Sequence, residues 1–333
     1  MIVLRRNTHG EFTMAISAAS EERVASVRNA MWYGLLLVLT VWFALVPVMD
    51  GNISFFFYLM LWVTMASAFN IICGFAGYLP FGYVAFYGIG AFATAILTKK
   101  LGVPIYFSLP VAGIAGVALS LLFAKTLKLN GIYFAIVSLA LAIICRLVIT
   151  NMPEEITGGS FGISLGSRAE PVKSFYVMLV TMLGALLTVT WLARSRLGKA
   201  LKAIRDDSEA AEAMGINVPR ARLLAWMMAA FFPSMCGGIE AWYTNVVDTE
   251  TAFDVLITAK TIIYATAGGL GTVTGPVLGA VIMVWIDELI WQRFPLLNLF
   301  VLGLVIVLLI QFMPRGIVGT LMRVWPKLRR YIL

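Results

Sequence analysis

The chain has 333 residues, 61% of them hydrophobic and only 13% charged, against roughly 25% charged in ordinary soluble proteins. That composition excludes a soluble domain with polar helix faces, and the net charge of +8 reads as membrane topology and lipid contact rather than nucleic-acid binding. One histidine, His9 in a polar tail, and three cysteines in apolar stretches, Cys73, Cys145 and Cys236, leave no expectation of a metal site, a histidine proton relay or a disulfide framework.

In chain order, residues 1–29 form a tail of mixed charge with no cleavable leader expected. Ten apolar spans follow, at 30–49, 53–73, 79–98, 103–124, 131–150, 174–193, 223–239, 255–268, 275–292 and 296–313. Most approach the ~20 residues that cross a bilayer core. Gly51–Thr98 carries no charge over 48 residues and must hold two spans. The expected fold is an all-α integral membrane protein of about ten transmembrane helices. Its parts are a cytoplasmic tail 1–29, a membrane domain 30–320 with a loop at 194–222, and a basic tail 321–333. An even span count puts both termini on one side. That side, with Lys125, Lys128 and the 194–222 loop, holds 18 of the 25 basic residues, so it is expected to be cytoplasmic. The loop 240–254, with Glu240, Asp248, Glu250 and Asp254 and no base, is expected outside.

The 194–222 loop contains one soluble-looking insert, "DDSEAAEAMG". Ser208 is expected to cap a two-turn helix whose first turn carries Glu209, and Gly215 to end it in the left-handed conformation. Asn217 then caps the next span, with Pro219 in its first turn. Fifteen of the 17 acids fall in tails or loops by this placement, and Asp287 and Glu288 lie near an outer span end. Carboxylate ion coupling is therefore not expected. "SRLGKA" at 195–200 lacks the glycine-rich turn and the Ser or Thr of a phosphate loop, so any ATP must be hydrolysed by another subunit.

"EAAEAMG", Glu209 to Gly215, matches the Glu-Ala-Ala-x-x-x-Gly signature of ABC importer permeases. The surrounding "GKALKAIRDDSEAAEAMGINVPRARLLAW" resembles the branched-chain amino-acid permease family of the LivM type. So do "GFAGYLPFGYVAFYGIGAF" (74–92), "GIYFAIVSLALAIICRLVITN" (131–151), "TGGSFGI" (157–163), "GGLGTVTGPVLGA" (268–280) and "MPRGIVG" (313–319). The resemblance implies a bacterial inner-membrane subunit, not itself an enzyme. It implies a heterodimer with a second related permease, two cytoplasmic ATPase subunits that bind ATP and magnesium, and an external solute-binding protein. The cargo implied is leucine, isoleucine or valine, or else urea, a short amide or another small acid. On this basis Asp206, Asp207, Ser208, Glu209, Ala210, Ala211, Glu212, Met214 and Gly215 are the expected ATPase-coupling residues. Ala210, Ala211 and Ala213 would let the helix backbone approach a partner closely.

Two glycine blocks break the membrane helices, and broken helices line either a substrate path or a close packing seam. The candidate path residues are Gly77, Gly82, Tyr83, Gly88, Gly90, Tyr133, Lys260, Gly268, Gly269 and Gly271. In the resembling family a His commonly stands at the place of Tyr83, and a Glu at those of Ile143 and Lys260. The path expected here is therefore less negative, which leaves room for a more anionic cargo. Lys260 either faces that path or snorkels outward. "TGGSFGI" either docks the binding protein or is a compact turn-rich loop. The competing classes are an ion-coupled carrier or channel, which would want deep acids, and a membrane-embedded lipid-modifying enzyme. For the enzyme, Asp248, Glu250 and Asp254 would lack a partner base.

Overall fold

A computed structural model describes residues 37–49, 51–129, 131–159, 162–166, 170–293 and 316–324, with isolated positions at 34, 300, 303, 304 and 311. Helix α1 covers residues 37–45. Then come α2 (Ile53–Asn70), a π-helical turn (Ile71–Phe75), α3 (Val84–Lys99), α4 (Ile105–Leu122), α5 (Ile132–Thr150) and α6 (Glu154–Thr157). The second half holds α7 (Pro171–Arg194), α8 (Arg196–Asp206), α9 (Ser208–Ala213), α10 (Val218–Thr244), α11 (Thr249–Ala252), α12 (Val255–Gly268), α13 (Thr274–Arg293) and a last helix Gly316–Val324. Six stretches among the described residues are long and apolar enough to cross a membrane: Ile53–Phe75, α4, α5, α7, α10 and α13. The chain is a multi-pass membrane protein.

Most of the expected span at 296–313 and the first residues of that at 30–49 lie outside the described residues. Two predicted boundaries shift. The third span begins at Val84 rather than residue 79, because Gly77 turns the chain at φ +79° and Pro80 follows. The seventh runs from Val218 to Thr244 and takes Arg222 and Glu240 into the helix. Both charges are accommodated: the Arg222 guanidinium lies 4.9 Å over the Tyr78 ring, and Glu240 accepts the Tyr58 hydroxyl. The all-helical expectation also missed a two-residue antiparallel pairing, β1 (Ile163–Ser164) with β2 (Val246–Val247). Strands this short leave no periodic signal.

The core is built on α2, whose Phe57, Met60, Met65 and Phe69 are fully buried as it packs against α7, α10, α12 and α13. Helix α10 crosses α3 and α4 so closely that a Cβ on Gly90 would strike the Ser234 carbonyl, and one on Gly237 the Tyr87 carbonyl. Ser234 Oγ donates to the Phe86 carbonyl at 2.7 Å across this crossing. Cys145 and Cys236 are free and buried. The connections fall at two ends of the bundle. At one end Tyr78 bonds to the Leu127 carbonyl and Arg205 to that of Gly74. At the other, β1 pairs with β2, and Arg146 meets Glu250 at 3.6 Å.

Candidate functional site

The soluble-looking insert folds as α9, six residues long and set between α8 and α10. Its cap is Asp207, not Ser208: Asp207 Oδ1 accepts the amides of Glu209 at 2.9 Å and Ala210 at 3.0 Å. A carboxylate here also opposes the positive end of the helix dipole, which a serine cannot do. Gly215 takes φ +86°, and Asn217 caps α10 through the Arg220 amide at 3.1 Å. Glu209, Ala210, Glu212, Ala213 and Met214 are exposed, Met214 at 85%. Ala211 is not on that face. It is 2% exposed and packs into this chain's own core, so the open surface is Ala210 and Ala213 flanked by acids. Burial and the neighbouring Arg205 push Lys202 of α8 below the usual lysine range, against the pull of Asp206.

Arg205 joins this segment to both glycine blocks. Its Nη1 donates to the Gly74 carbonyl at 2.6 Å. Its side chain lies so close to Gly77 and Gly271 that a Cβ there would come within 2.7 Å and 2.9 Å of it. Asn70, at the end of α2, closes the junction. It accepts from the Gly271 amide and donates to the Thr272 carbonyl, both at 2.8 Å. A Cβ on Gly74 would collide with the Asn70 side chain. Gly74, Gly77, Gly268, Gly269 and Gly271 thus form a packed seam at the end of the bundle that carries α8 and α9.

The other candidate path residues separate. Tyr83 is fully buried and donates to the Ala229 carbonyl at 2.6 Å. Gly82, Gly88 and Gly90 sit against Ser138, the Phe253 ring and Ser234, as packing contacts. Tyr133 is 69% exposed on α5. Lys260 is ion-paired and lines a cavity. Its Nζ meets Asp287 Oδ2 at 2.7 Å, the Tyr264 hydroxyl donates to the same oxygen at 3.3 Å, and the Trp62 ring centroid lies 5.9 Å away. Ile143 is exposed.

Of the cavities near the opposite end, two are lined by α2. One, of about 470 Å³, contains the Lys260–Asp287 pair and Glu288. The other, of about 330 Å³, lies among α2, α3, α10 and the 246–257 segment and contains Glu240. Sequence reasoning assigned Glu240 to the external loop because a charge ends an apolar run. The signal that could have rescued it is "GGIEAWYT", where helical periodicity continues past the acid. Asp248 caps α11, and although burial pushes its carboxyl up, bonds from the Thr251 hydroxyl and from the Thr251 and Glu250 amides prevail and hold it below its usual range.

A family model described as "Branched-chain amino acid transport system / permease component" matches residues 52–310. The chain is 27% identical over 325 residues to the high-affinity branched-chain amino acid transport system permease protein LivM of Escherichia coli (strain K12), covering 88% of this chain and 76% of that one. It is 24% identical over 273 residues to the probable branched-chain amino acid transport permease protein LivH of Methanocaldococcus jannaschii, covering 73% and 83%. A shorter likeness, 29% over 124 residues, reaches the galactose/methyl galactoside import permease protein MglC of Haemophilus influenzae, covering 36% and 37%. The family match runs from the start of α2 past the end of α13, across the capped insert, the glycine seam and both cavities, and the chain belongs to the family of branched-chain amino acid transport system permease components.

Proposed function

We propose that this chain, the permease subunit of an ABC importer, moves branched-chain amino acids or a related small polar solute across the bacterial inner membrane. It forms a heterodimer with a second related permease. Two cytoplasmic ATPase subunits bind ATP and magnesium and supply the energy, and an external solute-binding protein delivers cargo. The chain crosses the membrane ten times with both termini cytoplasmic. Helix α9 is the coupling helix and sits in a groove of an ATPase subunit. The observation that supports this most directly is its construction: a capped helix presenting two acids, two alanines and a methionine, joined without slack to a 27-residue membrane helix.

Reconstitution tests the proposal. The purified complex, with its partner permease, ATPases and binding protein in proteoliposomes, should take up leucine, isoleucine or valine on ATP hydrolysis. Failure of every one of these, with urea or short amides transported instead, would move the cargo to another branch. Uptake without ATP would overturn the class.

A further inference from the structure

Tyr58 and Trp62, one turn apart on α2, form a wall between the two cavities and line both. On one side of that wall a base is present: Lys260 holds Asp287, beside Glu288. On the other side there is none. The charged residues lining the 330 Å³ cavity are Glu240 and Asp248, and no base lines it among the described residues. The Asp248 carboxylate is committed to capping α11. Glu240 is met by the Tyr58 hydroxyl, a neutral donor, and no counter-ion for its carboxylate lines the cavity. The rings of Tyr58, Trp62 and Tyr87 and the aliphatic Leu61 and Ile257 make up much of the remaining lining.

We propose that this cavity is a cargo subsite for the ammonium group of a small primary amine, with Glu240 as its counter-charge. This deepens the importer function proposed above and rests on it. An ionisable group at membrane depth is costly, and the structure keeps one here without a charged partner. A cation entering would supply that partner. It would also lie beside three aromatic rings whose negative faces attract it, while its carbon chain covers Leu61 and Ile257. A solute bearing only a carboxylate would meet like charge and no base. The volume is at the small end of ligand cavities, in keeping with a cargo of a few carbon atoms. The placement also matters for transport, since α10 begins directly after the coupling helix and ends at Glu240 and Thr244 in the cavity wall.

The test uses the whole complex in proteoliposomes at pH 8, with Cys73, Cys145 and Cys236 replaced and a single cysteine placed by Val246→Cys at the exposed rim of the cavity. Modification rates by a cationic and an anionic methanethiosulfonate are compared. The cationic reagent should react several-fold faster, and Glu240→Gln should remove most of that preference while Glu240→Asp retains it. 3-Methylbutylamine, which is leucine without its carboxylate, should slow labelling. 4-Methylpentanoate, which is leucine without its amine, should not. A charge preference unchanged by Glu240→Gln, or equal protection by both compounds, would overturn the subsite. ATP-driven uptake by the unsubstituted complex is measured in parallel. Its absence would count against the importer function itself, so the two failures stay distinct.

Discussion

The Tyr83 hydroxyl donates at 2.6 Å to the Ala229 carbonyl, which is the group that Pro233, four residues later in α10, leaves without an amide donor. Proline has no N–H, so a helix that contains one exposes the carbonyl a turn before it. In a dry core that carbonyl needs another donor. Tyr83 reaches across from the start of α3 to supply it.

Tyr83→Phe should therefore destabilise the protein by about 1–3 kcal/mol, the cost of an unpaired buried polar group. Pro233→Ala restores the missing amide. In the Pro233→Ala background the loss on Tyr83→Phe should shrink to a fraction of its value. Thermal unfolding of the four proteins in detergent gives the cycle. An equal loss in both backgrounds would mean that the hydroxyl serves some other purpose.

Asn70 binds α2 to the turn between α12 and α13 by one bond in each direction. Asn70→Asp keeps the acceptor for the Gly271 amide but turns a second acceptor towards the Thr272 carbonyl. It should cost more than the ~1 kcal/mol of one net hydrogen bond. Asn70→Ala removes both bonds and relieves the repulsion. Arg205→Ala, which frees the Gly74 carbonyl, should leave the complex assembled but lower the uptake obtained per ATP hydrolysed. Unchanged uptake per ATP would show that the seam is passive.

The Lys260–Asp287 pair ties α12 to α13, with 24% and 17% of the two side chains exposed. Lys260→Met or Asp287→Leu alone strands a half-buried charge and should cost on the order of 2 kcal/mol. The double variant should recover most of it, because replacing such a pair by apolar groups is often close to neutral. Lys260→Glu sets a second carboxylate beside Asp287 and should be the least stable of the set. Additive losses in the double variant would mean that the two charges act separately.

The membrane class, most span positions, the helix-ending Gly215 and the capping Asn217 were legible from the sequence, because apolar run length and backbone chemistry are local. What escaped it depends on neighbours distant in the chain. Glu240 reads as the edge of a loop until Tyr58 is placed beside it, 182 positions away in sequence and joined by a hydrogen bond. Tyr83 reads as a path residue until Pro233 is seen to need its hydroxyl. Lys260 reads as a lone charge until Asp287, 27 residues on, comes within 2.7 Å. Ala211 and Ala210 are adjacent and chemically the same, and only the docking of α9 on its own bundle tells the inward one from the outward one. The cap moved by one residue because Ser and Asp both suit that position, and the choice rests on backbone geometry at Asp207.

That difference between the two alanines fixes the last prediction. Ala210→Arg and Met214→Asp alter the exposed face of α9 without touching the core, so each should weaken retention of the ATPase subunits while the chain still inserts. Ala211→Arg instead forces a long charge into the buried side and should detach α9 from the bundle, a folding defect visible as a lowered melting temperature. Gly215→Val tests the junction. No atom lies within 4 Å of the position its Cβ would take, so its cost is conformational and not a clash. A β-branched residue at φ +86° is strained by about 1–2 kcal/mol, whereas asparagine visits that region readily. Gly215→Val should lower binding-protein-stimulated ATP hydrolysis and uptake, and Gly215→Asn should retain more of both. Asp207→Ala, which removes the cap, should cost about 1 kcal/mol of local helix stability and produce a milder loss in the same direction. ATPase rate, solute uptake and pull-down of the ATPase subunits are measured side by side in proteoliposomes. Normal coupling and retention in Ala210→Arg, Met214→Asp and Gly215→Val together would reduce α9 to a solvated loop and leave the site of ATPase contact to be found elsewhere on the 194–222 surface.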